Sequence, residues 1–176
     1  PLVGSLFYNN AENIEKNTIR FDKVLYDNVA LIYDLRTDNL ITRHPRHLSN
    51  LIVIEDFVDY FTIGKDTFVN LSEKEAGLKS GYYLQIFNSY SYKSFAKLSK
   101  AIVDPKSTTE KRTVDDKIQY FYKTPASPYF QPYNTIKKLT GLEKQHKKVV
   151  SELIRASGLQ YEKDLKTKTQ IVLNYL

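Results

Sequence analysis

Cysteine is absent from the 176 residues, which excludes disulfides and thiolate metal sites. Methionine is absent too. With Pro1 at the start, the expectation is a chain that has been processed, as by removal of a secretory signal, or that begins mid-protein. Tryptophan is missing, and glycine occurs only six times, each time alone, so no glycine-rich loop is present to cradle a phosphate. HExxH and nucleophile-elbow patterns are missing. No apolar run approaches the roughly 20 residues that carry a helix across a bilayer. These absences speak against most kinds of catalysis and leave architecture as the clearest message.

What is present is aromatic and unevenly charged. Fourteen tyrosines and nine phenylalanines suit pleated, half-buried surfaces and lean towards β structure. The net charge of +6 is divided unequally: residues 1–90 hold 9 Lys/Arg and 12 Asp/Glu, residues 91–176 hold 17 and 8. A basic half attracts phosphates or acidic surfaces, although a solvated lysine-rich face is the ordinary outcome.

The chain is organised around Asn28–Thr42, NVALIYDLRTDNLIT. Val29, Leu31 and Tyr33 alternate with Ala30, Ile32 and Asp34, a strand with an apolar face, and Thr37-Asp38-Asn39 supplies the turn. Upstream, Ser5–Asn9 reads as a short strand. Thr18–Phe21 and Val24–Tyr26 flank a tight Asp22-Lys23 turn, and Asp27-Asn28 turns the chain into the central strand. Downstream, Leu51–Ile54 reads as a buried strand. Tyr60–Ile63 and Thr67–Leu71 form a hairpin about Gly64, and residues 72–80 read as a surface loop. Gly81–Phe87, Tyr92–Leu98 and Lys117–Lys123 are further strands, with a mobile polar excursion at 104–116. Three prolines make 125–133 a linker. Beyond it the period becomes helical: a short helix over 135–139, apolar residues from Leu142 to Ile154 stopped by Gly158, and a last helix from about Asp164. The expectation is α+β: an antiparallel β-meander, sandwiched or partly rolled, over 1–124, a linker over 125–133, and a C-terminal helical hairpin over 134–176.

The order GSLFYN, YDNV, VALIYDLRTDNLI, IVIED, FTIG, TFVNL and GYYLQIF, with a lysine-rich C-terminal helical segment, resembles a family of uncharacterised secreted or envelope proteins of Bacteroidetes-type bacteria. Tyr33, Asp34, Asp38 and Leu40 match its central strand and turn. The resemblance covers most of the chain and implies export and a cell-envelope location. Its motifs carry no chemistry, and the 104–116 excursion and the 125–133 linker depart from it.

Candidate chemistry is thin. His44 and His47 lie three apart in one loop, too few ligands for zinc, and His146 falls on the apolar face of a helix. Asp56/Asp59, Glu73/Glu75 and Asp115/Asp116 are carboxylate pairs in loops or at strand edges, where solvated charge is ordinary and an edge carboxylate also blocks aggregation. No metal, cofactor or catalytic residue is expected. Tyr129, Phe130 and Tyr133 stand on a segment that cannot be regular structure, so they pack on their own domain or anchor a partner. With Lys144, Lys147, Lys148 and Arg155 of the basic helices they form the expected partner-binding set, facing an outer-membrane protein or complex and, secondarily, anionic head groups. The alternative is a small-ligand or glycan face built from Tyr82, Tyr90, Tyr92, Tyr120 and Tyr122. Nucleic acid is not expected. The sequence reading is thus an accessory interaction protein of the envelope, not an enzyme.

Overall fold

The computed structural model describes residues 2–10, 15–44, 46–47, 49–105, 107, 111–140, 147–158 and 165–176. About half of these residues lie in a sheet of eleven strands, and three of the four helices gather at the C-terminal end. The strands are β1 (Leu2–Val3), β2 (Glu15–Phe21), β3 (Val24–Asp34), β4 (Asn39–Arg43), β5 (Asn50–Ile52), β6 (Val58–Ile63), β7 (Asp66–Leu71), β8 (Gly81–Asn88), β9 (Lys93–Val103), β10 (Arg112–Lys123) and β11 (Gln131–Tyr133). Their order is β1-β10-β9-β8-β7-β6-β2-β3-β4-β5, with β11 on β10. The helices are α1 (Glu73–Ala76), α2 (Ile136–Thr140), α3 (Lys147–Ala156) and α4 (Leu165–Tyr175). By contacts the chain divides into two compact units, Pro1–Leu84 with Lys97–Ile118, and Gln85–Ala96 with Gln119–Leu176. This division falls elsewhere than at residue 124.

The first unit has a core of rings. Tyr33, Phe61, Phe68 and Tyr82 are buried. Tyr33 meets Phe61, Phe68 and Tyr82 edge-on at 5.5, 5.0 and 5.8 Å, while Phe61 and Phe68 stack at 5.1 Å. Such pairs add roughly 0.5–1.5 kcal/mol each beyond area burial. Several local expectations are corrected. Asp27-Asn28 is not a turn: β3 runs straight through it, and Asn28 at φ 58 takes up a register shift against β2 between Asn17 and Ile19. An asparagine tolerates that left-handed geometry, so the feature is a bulge. Leu31, Ile32 and Tyr33 are all buried, so this part of β3 is covered on both faces. Ser5–Asn9 is not a strand. Asn9 and Asn10 sit at φ 56 and 53 in a 3-10 turn, and Phe7 makes only a bridge to Asp34.

Leu51–Ile54 is an edge, not a buried strand. β5 ends the strand order, and Leu51, Ile52 and Ile54 are exposed, because an apolar run does not say which side of the sheet it closes. Residues 72–80 contain α1, which buries Ala76 and, just beyond it, Leu78. The 104–116 excursion is shorter than expected. β10 begins at Arg112, whose guanidinium pairs with Asp104 at 2.8 Å, while residues 106 and 108–110 lie outside the described residues.

The second unit has a mixed core of Tyr133, Ile136, Leu139, Val150 and Val172, with Tyr120, Tyr122, Ile154, Leu165 and Leu176 packed against it. α4 packs on α2 and α3. The linker expectation is corrected at its end: Gln131–Tyr133 pairs with β10, Pro132 standing opposite Phe121. Proline is acceptable there because only one edge of β11 is bonded. Leu142 and His146 lie outside the described residues. No described helix is long and apolar enough to cross a membrane.

Candidate functional site

In the second unit the expected partner-binding residues separate into three groups. Tyr133 is a core residue, 4% exposed. Its hydroxyl joins Ser94 Oγ and Thr169 Oγ1 at 2.9 Å each, and Ser94 Oγ donates to the Phe121 carbonyl at 3.1 Å. Tyr133 is therefore withdrawn from the docking set; its β11 register turns it inward onto Tyr120 and Tyr122. Phe130 packs on Phe95 at 5.3 Å, under the Lys123 ammonium at 5.8 Å, which anchors it to its own unit. Tyr129 remains exposed, its carbonyl accepting from Ser127 Oγ. On α3, Lys147, Lys148 and Arg155 are exposed; Lys144 lies outside the described residues.

α3 also shows what the sequence reading missed. It is held to its unit through Val150, which is buried, and Ile154, a pair four apart on one face. Val149 and Leu153, another pair four apart, stay 39% and 40% exposed. The apolar arc of this helix is wider than the line that reaches the core. The signal was present in VVSELI, but periodicity cannot tell an apolar residue that is covered from one left open.

The tyrosine face expected as a ligand platform is not one exposed row. Tyr82 is 1% exposed within the first unit's core, since its strand position turns it onto Phe61 at 5.0 Å; its assignment is corrected. In the second unit Tyr120 and Tyr122 lie half-buried against the core cluster. Tyr90 is fully exposed in the β8–β9 turn, and Tyr92 is half-buried, its backbone bonded to Ser89 Oγ.

The first unit holds a polar cluster that no motif announced. Asp38, at φ 62 in the β3–β4 turn, accepts hydrogen bonds from the Tyr33 hydroxyl and the Lys97 ammonium. Lys97 Nζ also donates to the Tyr82 carbonyl at 2.9 Å and lies 4.9 Å from the Tyr83 ring centre. Gly81 makes the approach possible: at φ 137, a Cβ on it would stand 2.2 Å from Asp38 Oδ2 and 2.8 Å from Lys97 Nζ. Burial pulls Lys97 below its usual range, against the opposing pull of Asp38. Burial and then Asp38 raise Glu55. Burial likewise raises Tyr33 and Tyr82, and pushes Tyr83 up to about 12. The Tyr82 hydroxyl is buried without a hydrogen-bond partner among the described residues.

A half-buried lysine with a lowered pKa is a frequent mark of amine chemistry. Here the amine is engaged by a carboxylate, a carbonyl and a ring face, the arrangement of a clamp between the β3–β4 turn and β9. Among the carboxylate pairs, Asp59 is tied to Arg20 at 3.2 Å and to Lys23 at 2.8 Å. His44 and His47 stack at 4.6 Å, and His44 Nδ1 accepts from the Arg46 and His47 backbone, which is loop capping. Among the described residues no three His or acidic side chains converge as metal ligands.

The chain matches no family model, no curated protein and no solved structure. Its site must therefore be argued from its own residues.

Proposed function

We propose that the protein is a non-catalytic interaction protein of the bacterial cell envelope, an accessory subunit of an outer-membrane-associated complex that docks through its second unit. One observation carries the reading: α3 leaves Val149 and Leu153 open to solvent on a helix that also exposes Lys147, Lys148 and Arg155. An apolar centre beside cationic side chains suits an acidic protein surface. The apolar pair supplies affinity, and the charges supply orientation and association rate. Tyr129 extends the candidate set. The envelope location rests on the family resemblance. In this reading the β part is a meandering, partly rolled scaffold, and the C-terminal helices form a hairpin that presents α3.

The test is affinity purification of the tagged protein from native envelopes, wild type beside Val149→Ser/Leu153→Ser. The expected result is a stoichiometric polypeptide partner that the double variant loses while its melting temperature stays near wild type. Recovery of the wild-type protein alone after gentle extraction would overturn the reading.

A further inference from the structure

We propose that two copies of this chain pair antiparallel through the free edge of β3, with Leu25 on the two-fold axis and Lys23 of each copy opposite Asp27 of the other. The β2–β3 hairpin of the first unit is asymmetric. β2 has partners on both sides at this end: Ile19, Arg20 and Phe21 pair with Tyr26, Leu25 and Val24 of β3, and also with Phe61, Tyr60 and Val58 of β6. β3 does not. β4 pairs with it only from Leu31 to Asp34, so Val24–Asn28 has no strand on its outer side among the described residues. All five of these residues are exposed, Val24, Leu25 and Tyr26 by about half.

The hairpin geometry says which backbone groups are open. Asp22 and Lys23, at φ 49 and 66, form a two-residue turn of the primed type, which closes on a hydrogen-bonded pair, Phe21 with Val24. Pairs alternate along an antiparallel ladder. Arg20 with Leu25 is then a non-bonded pair, and the N–H and C=O of Leu25 face outward. Unpaired groups on an apolar edge are a template for another strand, and natural edges are blunted by charge, proline or a bulge. The bulge at Asn28 ends this edge but does not blunt it between Lys23 and Asp27.

The occupant follows from the residue order. Lys-Val-Leu-Tyr-Asp over 23–27 is self-complementary when read antiparallel about Leu25. Leu25 meets Leu25 and exchanges both backbone bonds. Val24 meets Tyr26, a branched–aromatic cross-strand pair, and Lys23, at the turn position just before the strand, brings its long side chain to Asp27, each twice by symmetry. Lys23 gives one bond to Asp59 at 2.8 Å, and Asp27 accepts one from Thr18 at 2.9 Å, which leaves the ammonium two donors and the carboxylate further acceptor sites. Phe57, exposed and 5.6 Å from the Phe21 ring, lies at the same hairpin end and adds apolar area. So short an edge makes a small interface and a reversible dimer.

Sedimentation velocity over a concentration series reaching roughly 1 mM tests this. The expected result is a monomer–dimer equilibrium that Lys23→Asp weakens about tenfold, by setting like charges opposite each other at two places, and that Lys23→Asp/Asp27→Lys restores. Hydrogen exchange should show the Leu25 amide, open in the monomer, gaining protection as concentration rises. A wild-type protein that stays monomeric throughout overturns the proposal. So does a dimer that is indifferent to Lys23→Asp, since that dimer would use another surface.

Discussion

The two units hold polar groups in their cores differently, although a lysine is buried in the second as well: Lys168 there is 1% exposed. The first closes its aromatic core around a charge: Lys97 and Asp38, with side chains 17% and 29% exposed, joined by the Tyr33 hydroxyl. The second runs a neutral chain of hydroxyls, Ser94, Tyr133 and Thr169, through a core that is partly aliphatic. A charged clamp costs more to desolvate, and its loss strands a charge. A hydroxyl chain costs little, and its loss strands a dipole. The first unit should therefore be brittle to substitution at its clamp and the second forgiving at its chain. The charged residues of the clamp are committed to holding strands, while those on α3 are exposed.

The largest predicted effect tests the space around the clamp. Gly81→Ala should cost about 3 kcal/mol or more, because a Cβ would meet Asp38 Oδ2 at 2.2 Å on a backbone at φ 137. Urea unfolding reads this directly, and a loss below about 1 kcal/mol would mean that the clamp is loose. Next comes the contrast itself. Lys97→Met should cost about 2 kcal/mol, discounted for the partial exposure of Asp38, whereas Tyr133→Phe should cost about 1 kcal/mol. Equal losses would erase the distinction between the two cores.

Alkali provides a further probe. Tyr8, Tyr33, Tyr82, Tyr83 and Tyr133 all have raised values, burial being the first cause in each. Above pH 10, the ordinary tyrosine value, the unfolded chain releases protons that the native state keeps, so stability falls as pH rises. Lys97 acts with the opposite sign below its ordinary 10.5, since the native state sheds its proton first; one lysine is outnumbered by five phenols. The phenolate absorbance of these five should appear only together with unfolding. A single smooth titration with the near-ultraviolet circular dichroism retained would contradict this. The smallest expected effect on stability is that of Lys147→Glu/Lys148→Glu/Arg155→Glu, within about 0.5 kcal/mol because all three are exposed; its effect on partner binding should be large.

Local turn chemistry was legible in the sequence. Asp22-Lys23 and Gly64 both stand where the chain reverses, because such geometry is decided by a residue's own backbone preferences. The β-then-α order was legible too, since the hydrophobic period changes after the prolines. The fate of Leu51–Ile54 was not, because strand order decides whether an apolar run is central or an edge. The clamp was invisible for a related reason: Asp38, Gly81 and Lys97 are far apart in sequence, and each has an ordinary local reading as turn, strand start or exposed face. Tyr133 misled because proline usually ends a ladder, and only pairing with β10 shows that Pro132 stands on an edge. α3 was legible as an amphipathic helix, but not that half of its apolar arc stays uncovered.

On the proposed reading the protein works by contact, through the open face of α3. Crosslinking of the protein in its native envelope, with mass-spectrometric identification of the joined residues, tests it most directly. Crosslinks from Lys147 and Lys148 to a second polypeptide are expected, and they should be lost in Val149→Ser/Leu153→Ser. Crosslinks that leave α3 bare while joining the partner elsewhere, or that persist unchanged in the variant, would contradict it.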